Sequence, residues 1–236
     1  MNMSQLKRRL GVRSVSWRDC IMLALGVIVT LAGMATASFI HDTQTPLPYR
    51  PEGVTARWIP PSVRRWDGII AEMGKKYNVD PNLIAIIITM ESGGYARAES
   101  EAGAKGLMQV TGPTSQDIAA KFLKEPRTSY DLMNPRTNIE FGTAYLAYLR
   151  DEFGTAKQGP EWTATVELIA AGYNGGPGTA SALEKGEGLR DPQPVIYSRD
   201  AFNMWRERRA QKSPTFERWA ERGGSRLLDA ANAGHQ

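Results

Sequence analysis

Histidine and cysteine are almost missing from this chain. Its 236 residues include two histidines, His41 and His235, and one cysteine, Cys20. All three lie outside the segment 62–210 that reads as the folded domain. A single cysteine forms no disulfide within the chain. A zinc centre built on His and Cys lacks its ligands, and a Ser-His or Cys-His nucleophile lacks its base. No metal and no cofactor is therefore expected. The chemistry has to rest on carboxylates, hydroxyls, amides or basic side chains. Alternating apolar and polar residues are also scarce, and no segment repeats, so strands are not expected.

An excess of one charge is missing from the main body as well. The chain carries 29 basic and 25 acidic residues, a formal charge of +4. Residues 1–37 hold Lys7, Arg8, Arg9, Arg13 and Arg18 against Asp19 alone, which leaves 24 of each sign beyond them. A neutral body argues against nucleic acid as a partner, because that affinity comes mostly from neutralised phosphates. The basic cluster instead precedes Cys20–Ile40, a run without a charged residue. About 20 apolar residues suffice to span a bilayer, and positive charge in front of them keeps the N-terminus cytoplasmic. The preferred reading is a membrane anchor at 20–40 behind a basic cytoplasmic segment, 1–19. The rival reading is a signal peptide cleaved after Ala35-Thr36-Ala37. Either one places the domain in the cell envelope, on the extracytoplasmic side.

What the chain does have is helical pattern. Residues 41–61 are proline-rich and read as an extended linker. From Ser62, a candidate N-cap, Val63, Trp66, Ile69, Ile70, Met73 and Tyr77 follow helical spacing up to Asn78. Asp80-Pro81 starts a second helix, over 81–92, with Asp as cap and Pro at the first helical position. It is apolar on every side, so it should be central and buried, and Gly93-Gly94 stops it. Asn134-Pro135 starts another, ended by Gly154, and 162–173 is a shorter apolar helix before a loop at 174–178. Helical pattern resumes at 195–209 and 214–230, the last a charged C-terminal extension within 211–236. The predicted fold class is mostly α.

Glu91 stands near the end of the most apolar helix. Ile88, Ile87 and Ile84 lie three, four and seven residues before it, on or beside its face. Desolvation favours the neutral carboxyl, and the negative end of the helix dipole acts the same way. A carboxyl kept protonated near neutral pH is a general acid suited to a glycosidic oxygen.

Around it the chain reads Glu91-Ser92, Ala98, Ser100, Gly103-Ala104, Gly106-Leu107-Met108-Gln109 and Thr114. Asn138-Ile139, Gly142 and Tyr145-Leu146 follow, then Tyr173-Asn174-Gly175-Gly176-Pro177-Gly178. In this order and spacing the chain resembles the soluble lytic transglycosylases, which have a goose-type-lysozyme-like catalytic domain, over roughly residues 62–200. The resemblance implies a lysozyme-like helical domain with a saccharide cleft. It implies a peptidoglycan lytic transglycosylase that cleaves the MurNAc-GlcNAc β-1,4 bond and leaves a 1,6-anhydro-MurNAc end. Glu91 would be the single acid/base, and Ser100, Met108, Gln109, Tyr173 and Asn174 would line the cleft. Met108 is expected to pack a sugar face, and Tyr173 to steady Glu91 or the acetamido group. Tyr197 joins them with its register open, since Pro194-Val195-Ile196-Tyr197 lacks the family's Glu-Thr. Glycan strands are the implied partner. The C-terminal extension leaves room for a partner in an envelope machine. Two alternatives stand beside this reading: a hydrolytic muramidase of the same fold, and a catalytically silent glycan-binding scaffold of an envelope-spanning machine.

Overall fold

A computed structural model describes residues 53–120, 130–153 and 162–234. The expected membrane segment at 20–40, the basic segment before it and most of the linker lie outside the described residues. No helix among the described residues is long and apolar enough to cross a membrane.

The described chain is helical, with isolated bridges at Glu99–Lys105 and Lys105–Val110 as its only extended pairings. The helices are α1 (Pro61–Arg64), α2 (Asp67–Tyr77), α3 (Pro81–Ser92), α4 (Gly112–Ile118), α5 (Pro135–Phe153), α6 (Trp162–Gly175), α7 (Pro177–Glu184), α8 (Gln193–Arg206), α9 (Pro214–Trp219) and α10 (Ser225–Ala233).

Helix α3 is the axis of the fold. The Asp80 side chain accepts the Asn82 N–H at its start, and Gly93 closes its end in the left-handed conformation. Helices α1, α2, α8 and α10 pack around it. Eleven of its twelve residues are buried, and Glu91 is the exception. Ile84, Ile86, Ile87 and Ile88 are fully enclosed. Each contributes about 1.5–3 kcal/mol of transfer free energy, which fixes the helix firmly enough to carry a partly desolvated carboxyl at its end.

Several boundaries differ from the sequence reading. Ser62 is not a cap: α1 starts at Pro61, whose fixed φ suits the first helical position, and Ser62 is buried inside the turn. The end of the expected linker is docked instead of free. Asn82 Oδ1 accepts the N–H groups of Thr55 and Ala56, both at 2.9 Å, and Val54, Ala56 and Ile59 are buried. The loop expected at 174–178 is mostly helix. Helix α6 runs through Asn174 and Gly175, and α7 starts at Pro177 after the single residue Gly176. The charged run 214–230 is two helices broken at Gly223-Gly224, where the Trp219 ring lies against the backbone. These C-terminal helices are part of the packed body. Phe216 sits between Trp58 and Trp219, with ring centroids 5.7 Å away on each side.

Candidate active site

Glu91 is held at the C-terminal end of α3, where the last turn leaves one carboxyl at the edge of the core. Ser92, next to it, is buried and turns inward: its hydroxyl donates to the Leu107 carbonyl at 2.7 Å and accepts the Gly94 N–H at 3.2 Å. That ties the end of α3 to the segment 105–110. The segment is a short hairpin-like loop, with Lys105 and Val110 exchanging both backbone hydrogen bonds at 3.0 Å.

Tyr197 comes from α8, which packs along α3. Its hydroxyl donates to Glu91 Oε1 at 2.6 Å, and its ring is buried. The Glu91 pKa is raised to about 7. Burial is the main cause, partly offset by the Tyr197 hydrogen bond, which favours the charged form. Among the described residues, no other carboxylate contributes to that shift. The phenols of Tyr173 and Tyr197 are pushed well above the ordinary tyrosine value, first by burial and next by the Glu91 charge. Both stay protonated at neutral pH, and both serve as neutral donors.

The other residues singled out in the sequence divide by distance from this pair. Tyr173, near the end of α6, lies within the electrostatic reach of Glu91, yet its hydroxyl donates to the Met108 carbonyl at 2.7 Å. Its ring packs on Tyr145 with centroids 5.5 Å apart. Met108 is a correction to the sequence reading. Its side chain is fully buried against Gly142, so it offers no face to a sugar, and its backbone carbonyl accepts the Tyr173 hydroxyl. Gln109 has a positive φ of 48°, and its amide nitrogen donates to the carbonyls of Ala98 at 3.2 Å and Gly106 at 3.0 Å. Its side chain thereby braces the loop. The Ser100 hydroxyl accepts the Ala104 N–H at 3.0 Å within its own turn. Asn174 is exposed, one residue beyond Tyr173. The structure thus joins Glu91 to Tyr197 and Tyr173 to Met108. Ser100, Gln109 and Asn174 lie on the adjoining loop and helix end.

Sequence reasoning assigned no role to Ser92 or Asn138, although both stand in the motifs. Their signal was a polar residue in an otherwise apolar helical face. Among the described residues, no group of three or more His, Cys, Asp or Glu side chains is placed to hold a metal.

A lone, raised carboxyl at a helix end, hydrogen-bonded by a tyrosine and flanked by a bridged loop, is suited to general acid catalysis. Comparison with known proteins makes the class definite. The family described as "Transglycosylase SLT domain" matches residues 68–195, more than half of the chain, and the chain belongs to this family. Tyr197 stands two residues beyond the matched stretch.

Over 118 residues the chain is 40% identical to the membrane-bound lytic murein transglycosylase C of Actinobacillus pleuropneumoniae, covering 49% of this chain and 32% of that one. Over 128 residues it is 38% identical to the endo-type membrane-bound lytic murein transglycosylase A of Klebsiella pneumoniae, covering 53% and 58%. The chain therefore spans about a third to three fifths of the curated relatives it matches. Among solved structures, the lytic transglycosylase Slt of Pseudomonas aeruginosa aligns with 71% of this chain and 25% of its own, at 23% identity and a TM-score of 0.46.

Proposed function

We propose that this protein is a peptidoglycan lytic transglycosylase in which Glu91 is the only acid/base. The observation that carries the proposal is the solitary state of Glu91. Glycosidases of the usual kind pair two carboxyl groups across the scissile bond. Here burial and the Tyr197 hydroxyl set the raised Glu91 pKa, and among the described residues no second carboxylate contributes to it. One carboxyl with a pKa of about 7 can give a proton and then take one.

In this scheme protonated Glu91 donates to the bridging oxygen as the bond from C1 of MurNAc breaks. The 2-acetamido oxygen of the same sugar bonds to C1 and takes the place of a second carboxylate. The C6 hydroxyl then attacks C1 and displaces the acetamido oxygen. Its proton returns to Glu91. The 1,6-anhydro end forms without consumption of water, and Glu91 is restored. Tyr197 holds Oε1, which leaves Oε2 to carry the mobile proton. Ser100, Gln109, Tyr173 and Asn174 bind the glycan, Met108 contributes its backbone carbonyl, and no metal or cofactor takes part.

The remaining parts of the chain fit the same reading. Residues 1–19 stay cytoplasmic, 20–40 anchor the protein or direct its export, and the linker from 41 joins the catalytic domain, 62–210, on the extracytoplasmic side. The relatives named membrane-bound support an envelope location. Residues 211–236 expose Arg218, Arg222 and Arg226 and offer a surface to envelope machinery.

Mass spectrometry of muropeptides released from purified peptidoglycan tests the activity. The expected products end in 1,6-anhydro-MurNAc, lighter by one water than hydrolytic products. Reducing ends as the main product would make the protein a muramidase. Binding without any release would make it a silent scaffold.

A further inference from the structure

Helix α5 presents Asn138 and, one turn later, Gly142 on one buried face. Both meet Met108. Asn138 Oδ1 accepts the Met108 N–H at 2.7 Å, and Nδ2 donates to the carbonyls of Lys105 at 2.7 Å and Leu132 at 2.8 Å. The amide has one acceptor atom and two donor hydrogens, so these three bonds fix its orientation. Gly142 makes room for the Met108 side chain: a Cβ at Gly142 would stand 2.4 Å from the Met108 sulfur. The backbone and side chain of Met108 are thus gripped from the same helix. The Met108 carbonyl in turn accepts the Tyr173 hydroxyl proton at 2.7 Å.

We propose that Asn138 and Gly142 form a two-point clamp on Met108 whose task is to keep the Tyr173 proton directed away from Glu91. The proposal rests on the reading of Glu91 as the acid/base. Two phenols feel that carboxyl: Tyr197 from α8 through a hydrogen bond, and Tyr173 from α6 through the Glu91 charge alone. Among the described residues no charged group of α1, α2 or α10 acts on it. Tyr197 already donates to Oε1. A second donation, from Tyr173, would favour the ionised form and remove the general acid. With its single proton committed to Met108, Tyr173 has none to give the carboxyl. Asn138 and Gly142 touch no substrate; they are positioning residues acting through Met108 and Tyr173.

The test uses the full chain acting on soluble, uncrosslinked glycan strands, with the folded fraction measured by circular dichroism. Asn138→Ala, the milder Asn138→Ser, and Gly142→Ala are each made in the wild-type and Tyr173→Phe backgrounds. In the wild-type background kcat should fall by about tenfold or more per folded molecule while KM stays within about threefold. The alkaline limb of the rate profile should move to lower pH. In the Tyr173→Phe background, which has no proton to misdirect, the same substitutions should cost less than about threefold, and the limb should stay in place. Equal losses in both backgrounds, or a loss that only follows the folded fraction, would overturn the clamp. So would failure of all three variants to fold, which would make this contact part of the core alone. Wild-type protein and Glu91→Gln separate the two readings. An inactive wild type sinks the proposed function. An active wild type, a silent Glu91→Gln and an additive cycle sink the clamp alone.

Discussion

Glu91 is the one residue of α3 that is not buried, and the two tyrosines that feel its charge keep their protons at neutral pH. In the proposed mechanism the general acid is the protonated carboxyl, so the rate should fall as the pH rises through about 7, the raised pKa of the group. The Tyr197 bond favours the charged form and pulls against that rise. In Tyr197→Phe the Glu91 pKa should therefore go up, the alkaline limb should move to higher pH, and kcat should drop because Oε1 loses its brace. A pH–rate profile of the two proteins checks this, and a limb displaced to lower pH would mean that the bond works in the opposite sense. The desolvation of Glu91 was legible in the sequence because it follows from the apolar neighbours on its helix. The environment of Met108 was not, since a buried thioether and a cleft-lining one look alike until Gly142 is brought beneath it. Tyr197 stood in an altered motif, and only the packing of α8 on α3 sets its register.

At the scale of elements, the local chemistry of helix ends was readable. Asp80-Pro81 and Asn134-Pro135 open helices, and Asn78 and Gly93 close them, as capping physics requires. What stayed hidden depends on distant partners. Helix α7 was obscured by a Gly-Pro-Gly run that reads as loop, and residues 53–60 gain their order from Asn82 and the core. Gly93 joins both kinds of information. Its φ is +62°, and a Cβ there would come within 2.6 Å of the Leu227 backbone in α10. Gly93→Ala should thus strain the cap and push α10 away, a loss of about 2 kcal/mol or more. Urea denaturation measures it, and an unchanged midpoint would contradict the close packing of α10 on the end of α3.

For the whole molecule, charge and hydropathy set the address more than the fold does. All the excess positive charge precedes an uncharged apolar run, and the rest of the chain is neutral. The proposed location predicts full-length protein in the membrane fraction if 20–40 is an anchor. N-terminal sequencing that begins at Ser38 would instead establish cleavage after Ala37. Full-length protein soluble in the cytosol would contradict both forms of export. The helical class was legible at this scale because apolar residues recur at helical spacing through most of the domain. The integration of the C-terminal helices was not. Their charged faces read as a separate extension, while Phe216, Trp219 and Leu227 supply the contacts that join them to the body.

One carboxyl serves both proton transfers in the proposed mechanism, and Glu91→Gln tests that directly. The amide keeps the shape of the side chain and neither gives nor takes the proton. The measurement is the rate at which 1,6-anhydro ends appear from glycan strands, with strand binding and thermal midpoint followed in parallel. The predicted result is a rate loss of about 10²–10⁴-fold, with the fold and the binding retained. A Glu91→Gln protein that releases anhydro ends at near the wild-type rate would contradict the account, because the described structure places no second carboxylate on Glu91 to take over its role.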